Sequence, residues 1–310
     1  MKIVTLTLNP AFDLHCHIEK FAPYHENLAK ITDYSASGKG VNISRALTVC
    51  GVENMAFVVL GEENGAAFEK DMLAAGMTYR ALTVPGRIRE NITIHTEGAD
   101  ETRISFEGFR ADATLTERVS ELLEPEIDNE TFVTFTGRVA AGMEIQAAKD
   151  FLRRLEARGA KIVIDSKSFS LDDLLEMKPW LIKPNEEEIS EYLKRPIETF
   201  EEVLCAAEEL HEQGIANVMI SLGAKGALLV CEEGAFVATP PRIHAVSTIG
   251  AGDSSIGGFL AAAIEGATGV EMLCRAVSYG TAACLTEGTR PPRAEDVTAI
   301  LPQINLEKKK

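Results

Sequence analysis

The residues best suited to catalysis lie together in one glycine-rich run. The run reads Ser247-Thr248-Ile249-Gly250-Ala251-Gly252-Asp253-Ser254 and is followed by an apolar stretch. Gly250 and Gly252 lack a Cβ, so the backbone can turn tightly there and approach a ligand closely. The unpaired N–H groups and the positive dipole end of the following helix would stabilise a phosphate or an oxyanion. The run therefore predicts an anion hole at Gly250, Ala251 and Gly252.

Asp253 needs a separate explanation, because a carboxylate repels a bound phosphate. Its carboxylate is suited to accept a proton from a substrate hydroxyl as that hydroxyl attacks a phosphoryl group. Aspartate is also a common residue at the N-cap of a helix. The local sequence leaves both alternatives open.

A second glycine-rich element, Ser35 to Ala46, also opens a helix. Gly38, Lys39 and Asn42 fall in its first turns, where a helix N-terminus can contact hydroxyl and phosphate groups. The spacing is not that of a Walker A loop. A loop-to-helix junction with a solvated lysine has the same pattern, so this alternative also stays open.

A third element reads Ile182-Lys183-Pro184-Asn185-Glu186-Glu187-Glu188. Asn185 and Glu188 are three residues apart at a helix start, which places them on one face. Their oxygens suit water-mediated coordination of a hard cation such as Mg²⁺. The alternative is a helix cap followed by acidic residues that the helix dipole favours.

A fourth element, Val218 to Val230, consists of an apolar run, a glycine turn and a second apolar run. This pattern is typical of a hairpin. At the rim of a sheet, such a turn is also placed to contact a nucleotide.

Composition excludes several classes of function. The formal net charge of −16 argues against general binding to nucleic acid or to an anionic membrane, so a phosphorylated substrate needs a local basic patch. No apolar stretch is long enough to span a membrane. The six cysteines are far apart and form no C-x-x-C pair, which predicts reduced thiols in a cytoplasmic protein.

Short apolar runs alternate with helical patterns through most of the 310 residues. Strands are predicted at 3–8, 56–60, 132–136, 162–165, 180–183, 218–221 and 227–230. Helices are predicted near 41–50, 65–75, 144–158, 186–193, 199–213, 254–265 and 270–285. This alternation indicates an α/β fold with a mainly parallel sheet covered by helices on both faces, and with ligands at the carboxyl ends of the strands.

Two segments, 12–36 and 87–108, show strand patterns without helices between them. We expect them to pair as a small antiparallel sheet that forms a lid on a single domain covering residues 1–310. Arg89 lies in the second segment, and Arg138 follows the strand predicted at 132–136. Guanidinium groups suit phosphate geometry, although exposed arginines are more often solvated.

In this order, these elements resemble the PfkB, or ribokinase-like, family of carbohydrate kinases across almost the whole chain. Thr5-Leu6-Thr7-Leu8-Asn9-Pro10-Ala11-Phe12-Asp13 is similar to the T-L-N-P-A-[IFY]-D start of the phosphosugar branch, which includes 1-phosphofructokinase and tagatose-6-phosphate kinase. Ser37 to Arg45 is similar to the G-K-G-[IVL]-N-[VI] element, and Ser247 to Ser254 to the S-T-V-G-A-G-D-S signature. The resemblance implies a three-layer αβα sandwich with a small β-sheet lid.

The resemblance also implies a role for each matched residue. Asp253 would be the catalytic base, and Gly250, Ala251 and Gly252 would bind the transferring phosphoryl group. Glu188 would act on Mg²⁺ through water. The residues that would hold the sugar are Asp13, Gly38, Lys39, Asn42, Arg89 and, from its loop, Arg138. The residues that would hold the nucleotide are Lys183, Asn185, Ser221, Gly223, Gly226, Thr248 and Gly252.

Two departures from the family pattern concern the sugar. Relatives usually carry S-G-S-L-P-x-G where this chain reads Thr136-Gly137-Arg138-Val139-Ala140-Ala141-Gly142. They commonly carry T-R-I-N-[VI]-K where this chain reads Ile88-Arg89-Glu90-Asn91-Ile92-Thr93. Neither change touches the phosphoryl-transfer residues.

The expectation is therefore a kinase that uses ATP and Mg²⁺ to phosphorylate fructose 1-phosphate at O6, and that pairs with a second copy through the lid. Tagatose 6-phosphate, fructose 6-phosphate or an unphosphorylated sugar are the alternative acceptors. A sensor that binds without turnover is an alternative of another class. A dinucleotide-dependent oxidoreductase is disfavoured, because no G-x-G-x-x-G follows the first strand.

Overall fold

Strands and helices alternate along most of the chain in the computed structural model, which describes residues 2–97 and 101–309. The strands are β1 Lys2–Thr7, β2 Ala11–Ile18, β3 Lys30–Ser37, β4 Met55–Gly61, β5 Tyr79–Val84, β6 Arg89–Thr96, β7 Thr102–Ser105, β8 Thr131–Thr136, β9 Lys161–Asp165, β10 Leu181–Ile182, β11 Asn217–Ser221, β12 Ala227–Cys231, β13 Gly234–Thr239 and β14 Asn305–Lys308. The helices are α1 Lys39–Val49, α2 Gly65–Ala74, α3 Leu115–Leu123, α4 Ile145–Ala157, α5 Leu171–Met177, α6 Glu186–Leu193, α7 Phe200–Glu212, α8 Ala251–Ala263, α9 Gly269–Ala283 and α10 Ala294–Ile300.

A large sheet forms the centre of the molecule. Its strand order is β14-β13-β12-β11-β10-β9-β8-β1-β4-β5. The pairs from β11 through β10, β9, β8, β1 and β4 to β5 are parallel, whereas β12, β13 and β14 join antiparallel at one end. The predicted α/β fold with a mainly parallel central sheet is confirmed.

Helices cover both faces of this sheet because alternate strand residues point to opposite sides. In β1, Val4 and Leu6 join the apolar core on one face and Ile3 joins the core on the other. Helices α3 to α7 pack on the first face, and α1, α8, α9 and α10 on the second. These three layers match the predicted sandwich.

A separate small sheet has the order β3-β2-β6-β7. The predicted small sheet is confirmed, but the expectation that it is antiparallel is wrong at its centre, where β2 and β6 pair in parallel. The outer pairs, β2 with β3 and β6 with β7, are antiparallel. β2 follows β1 in the chain, and β6 follows β5. Because β1 and β5 run in the same direction in the large sheet, the segments that lead into β2 and β6 leave it at the same edge.

Three strands and three helices were not anticipated from the sequence: β5, β13, β14, α3, α5 and α10. β5 and β14 are the edge strands of the large sheet; β5 is only partly buried and β14 is exposed, so neither has a continuous apolar run. β14 ends in Lys308, whose ammonium group lies over the Phe236 ring. Within residues 2–97 and 101–309, no helix has both the length and the apolar character needed to cross a bilayer.

Candidate active site

The predicted site residues lie at the edge of the large sheet where its parallel strands end. Asp165 is the last residue of β9, Lys183 directly follows β10, and Ser221 is the last residue of β11. Helices α1 and α8 begin at the same edge and pack against each other. A Cβ at Gly40 would lie 2.5 Å from the carbonyl oxygen of Leu6, so glycine is required for α1 to pack this closely on β1.

The predicted anion hole is the first turn of α8. Gly250 is the N-cap and has a φ of +80°, a conformation that favours glycine. A Cβ at Gly252 would lie 3.1 Å from Nζ of Lys183, so the ammonium group lies directly beside the turn. The start of a helix and a lysine therefore both favour negative charge at the same place.

Asp253 is the third residue of α8, and its carboxylate points to α1. Asn42 Nδ2 donates a hydrogen bond of 2.9 Å to Asp253 Oδ2. Gly250 occupies the N-cap position, so the alternative in which Asp253 caps the helix is not what the structure shows. The pKa of Asp253 is raised to about 6, chiefly by burial and also by the Asp165 charge, while Lys39, the Asn42 hydrogen bond and Lys183 oppose the rise. Such a carboxyl group is ionised at neutral pH but is close to the ideal pKa for a general base.

Two lysines meet one buried carboxylate beside Asp253. Lys39 Nζ lies 2.8 Å from Asp165 Oδ2, and Lys183 Nζ lies 3.9 Å from the same atom. Burial alone would raise the pKa of Asp165, but Lys183 and Lys39 hold it below the ordinary value. These two ammonium groups are the local basic patch that a phosphorylated ligand needs in a chain of net charge −16.

A second group of polar residues joins the small sheet to the site. Asn91 Nδ2 donates to Asp13 Oδ1 at 2.8 Å, and Arg89 Nη1 donates to Asn91 Oδ1 at 3.0 Å. Arg89 Nε is buried and has no hydrogen-bond partner among the described residues. Burial lowers the pKa of Arg89. The Asp13 charge opposes this shift and the Arg138 charge adds to it, so Arg138 is close enough to Arg89 to interact with it electrostatically.

The loop that carries Arg138 is fixed from two sides. The N–H of Gly137 donates to the carbonyl oxygen of Asp165 at 3.1 Å. Asn9 Nδ2 donates to the carbonyl oxygen of Val139, also at 3.1 Å. The Arg138 side chain itself is exposed. The backbone of the loop therefore has a defined position beside Asp165, and the Arg138 guanidinium group is exposed to solvent.

Asn185 and Glu188 form a capping box at the start of α6. Asn185 Oδ1 accepts from the Glu188 N–H at 2.7 Å, and Glu188 Oε2 accepts from the Asn185 N–H at 3.1 Å. The capping alternative is therefore present in the structure. Glu188 also lines a small polar cavity with Ser166 and Lys183. At about 10 Å³ this cavity has room for about one water molecule and is too small for hydrated Mg²⁺, so a Mg²⁺ ion would meet Glu188 only through a bridging water.

A large cavity of about 1040 Å³ opens beside the anion hole. All seven residues predicted to hold the nucleotide line it: Lys183, Asn185, Ser221, Gly223, Gly226, Thr248 and Gly252. Ala276, Val277 and Ile243 give it an apolar part. Volume and lining are those of a small-molecule site with an anion-binding end.

The turn between β11 and β12 shapes one wall of this cavity. Gly226 has a φ of +95°, and a Cβ there would lie 1.9 Å from the carbonyl oxygen of Ala238. β11 and β12 form the hairpin that the sequence predicts. The turn therefore requires glycine for steric as well as conformational reasons.

Sequence reasoning missed two residues of this site. Asp165 ends a strand that was predicted to end there, so a carboxylate at the carboxyl end of a buried parallel strand was the available signal. Nothing in the sequence around Asn91 indicates a site, because its position in the site depends on the pairing of β6 with β2. That pairing places Asn91 directly opposite Asp13.

Comparison with known proteins agrees with this geometry. The 1-phosphofructokinase of Escherichia coli (strain K12) is 34% identical over 259 residues, which cover 84% of this chain and 83% of that protein. The 1-phosphofructokinase of Haemophilus influenzae is 33% identical over 278 residues, which cover 89% and 88%.

A solved structure also has this fold. Phosphofructokinase-2 from Escherichia coli, in complex with fructose-6-phosphate, superimposes with a TM-score of 0.90 and 25% identity, covering 97% of this chain and 98% of that one. The sequence profile of the pfkB family carbohydrate kinases matches residues 8–296, nearly the whole chain. With the fold, the site geometry and the relatives in agreement, the chain belongs to the pfkB family of carbohydrate kinases.

Proposed function

We propose that this enzyme transfers the γ-phosphoryl group of ATP to O6 of fructose 1-phosphate, giving fructose 1,6-bisphosphate and ADP. The observation that carries the proposal is the buried Asp253 carboxylate, held by Asn42 beside an anion-binding helix turn. The names of the Escherichia coli and Haemophilus influenzae relatives support fructose 1-phosphate as the acceptor. The cysteine pattern supports a cytoplasmic location.

In this mechanism the sugar hydroxyl donates its proton to Asp253 as the hydroxyl oxygen attacks phosphorus in line with the leaving ADP oxygen. The N–H groups of Ala251 and Gly252, the dipole of α8 and the Lys183 ammonium stabilise the charge on the transferring group. These groups are fixed before the substrate arrives, so they need no reorganisation during the reaction.

Mg²⁺ would neutralise charge on the ATP phosphates, and Glu188 is the residue placed to hold it through water. The Glu188 carboxylate already has one oxygen fixed by the capping box and the other 3.5 Å from Lys167. This arrangement suits an indirect contact better than a direct one.

The acceptor sugar would lie between the small sheet and the large sheet. Asp13 would accept hydrogen bonds from sugar hydroxyls, and Gly38, Lys39 and Asn42 would contact the sugar from the start of α1. Arg89 and Arg138 would bind the phosphate that the sugar already carries. The fold itself requires glycine at position 38, because φ there is +132° and a Cβ would lie 2.7 Å from Thr7 Cγ2.

The small sheet would close over the sugar as a lid of one kinase domain and would exclude water from the reaction. Exposed apolar residues lie in this sheet and in the segments next to its strands, among them Leu28, Ile31 and Phe106. Pairing of two copies through this surface would cover them. Size-exclusion chromatography with light scattering tests that pairing, and a monomer at micromolar concentration would contradict it.

A coupled assay of ADP release across four acceptors tests the proposed reaction. The acceptors are fructose 1-phosphate, fructose 6-phosphate, tagatose 6-phosphate and fructose. We expect the highest kcat/KM with fructose 1-phosphate, by at least tenfold. Fructose 6-phosphate is the second candidate, because the structural neighbour was solved with it. Binding of ATP and sugar phosphate without ADP release would instead identify a sensor.

A further inference from the structure

Two lysine side chains from different parts of the chain form ion pairs with the Asp165 carboxylate. Lys39 is the first residue of α1, and Lys183 follows β10. Both point at Oδ2 of the same carboxylate, at 2.8 and 3.9 Å. Asp165 and Lys183 are each only 6% exposed. A buried charge is stable only when it is paired, so these three residues form one electrostatic unit.

This unit lies beside the reacting groups. Lys183 Nζ is 3.1 Å from the place a Cβ of Gly252 would occupy, at the anion hole. Lys39 and Lys183 both act electrostatically on Asp253, as does Asp165. Asn42, which holds Asp253, is three residues beyond Lys39 on the same helix.

The two lysine side chains are long and flexible, and each loses rotamer freedom when it is fixed. Asp165 is the group that fixes both. Without its charge, the two ammonium groups would repel each other, and Lys39 would turn to the remaining carboxylates that act on it, Asp253 more strongly than Glu188. An ion pair between Lys39 and Asp253 would compete with the incoming sugar hydroxyl for the base.

We propose that Asp165 is a positioning residue, whose buried carboxylate holds Lys39 and Lys183 at the anion hole and keeps Lys39 away from the catalytic carboxylate. Asp165 does not touch the reacting atoms in this role; it acts through the two lysines. The role rests on the proposed phosphoryl transfer, and it adds a residue that the sequence motifs do not contain.

The test is the pH profile of kcat/KM for Asp165→Asn, because kcat/KM reports the pKa values of the free enzyme. This change keeps the shape and the acceptor for Lys39 but removes the charge. Asp165 raises the pKa of Asp253, whereas Lys39 and Lys183 lower it. Removing the Asp165 charge leaves the two lysine charges unopposed and therefore lowers the pKa of the base. We expect the acid limb of kcat/KM to move from near pH 6 to lower pH by about one unit.

We also expect kcat at pH 8 to fall at least about tenfold, with a smaller change in the KM for sugar phosphate. Asp165→Glu retains the charge but displaces it by one methylene, so its acid limb stays near that of the wild type while its kcat falls. If Asp165→Asn does not fold, the kcat of Asp165→Glu decides, and an unchanged kcat overturns the proposal.

The matched control is Asp173→Asn. Asp173 makes an ion pair of the same length, 2.8 Å, with the buried Lys149, away from the anion hole. Loss of that pair is expected to lower the thermal midpoint without moving the pH profile. If both variants lose stability and neither moves the acid limb, Asp165 is only structural and the proposal is wrong.

Two further results distinguish this proposal from a Mg²⁺-binding role of Asp165 and from failure of the proposed function. Rescue of Asp165→Asn by raised Mg²⁺, with the wild-type pH profile, would assign Asp165 to the cation and overturn the positioning role. A wild-type protein that releases no ADP with any acceptor would refute the proposed function instead. In that case a ¹³C NMR titration of the Asp253 carboxyl group in wild type and Asp165→Asn still decides whether Asp165 controls the site.

Discussion

Asp253→Asn is expected to remove activity and increase stability at the same time. The amide keeps the side-chain shape and can still accept the hydrogen bond from Asn42, but it cannot accept a proton from a hydroxyl. In the folded protein the pKa of Asp253 is about 6, against an ordinary value of 3.8. This difference of about two units corresponds to roughly 3 kcal/mol that the folded state loses when the carboxyl group ionises.

The sign of the pH dependence follows from this shift. Between about pH 4 and pH 6 the folded state binds more protons at Asp253 than the unfolded state, so the stability contribution falls as the pH rises. Above about pH 6 the whole cost of a buried charge is present. Asparagine never carries that charge, so the variant gains most over the wild type at pH 8 and only about a third as much at pH 4.5.

The measurements are thermal unfolding at both pH values and ADP release at pH 8. We expect turnover to fall by about 10²- to 10⁴-fold, while the midpoint of unfolding rises by a few degrees at pH 8. Asp150→Asn, which changes an exposed aspartate on α4, is the control and should alter neither quantity. Near-wild-type turnover in folded Asp253→Asn would refute the base, and a lower midpoint at pH 8 would refute the reasoning about burial.

Two further variants test the walls of the site. Arg89→Gln should raise the KM for sugar phosphate more than about tenfold. The control is Arg87→Gln, which changes an exposed arginine paired with Glu90 and should leave that KM unchanged. Equal effects of the two changes would contradict the phosphate-binding role of Arg89. Gly226→Ala should raise the KM for ATP or prevent folding, because its Cβ would overlap a carbonyl oxygen, while Gly76→Ala, in open space, should retain wild-type kinetics. A Gly226→Ala enzyme with unchanged kinetics would refute the glycine argument.

The sequence alone was enough to predict the parts of the site that are built from contiguous residues. The turn at Gly250 and the helix after it follow from glycine conformation and from apolar spacing, and both are present. The seven nucleotide residues line one cavity because each follows a strand of the same parallel sheet or belongs to an adjacent loop or helix start. The roles of these residues stay predictions.

The parts that depend on contacts between distant segments could not be predicted. The hydrogen bond that orients the Asp253 carboxylate comes from Asn42, which is 211 residues away in the chain. The parallel pairing of β2 with β6 depends on where both strands leave the large sheet. Asp165 became visible only when Lys39 and Lys183 were seen to converge on it.

The central claim is that this enzyme moves a phosphoryl group from ATP to a sugar phosphate. A ³¹P NMR time course of the purified protein with ATP, Mg²⁺ and fructose 1-phosphate tests it most directly. We predict loss of the ATP γ-phosphorus signal together with the appearance of ADP and of a second phosphomonoester on the same sugar. An ATP spectrum that stays unchanged with fructose 1-phosphate, fructose 6-phosphate and tagatose 6-phosphate would contradict the claim.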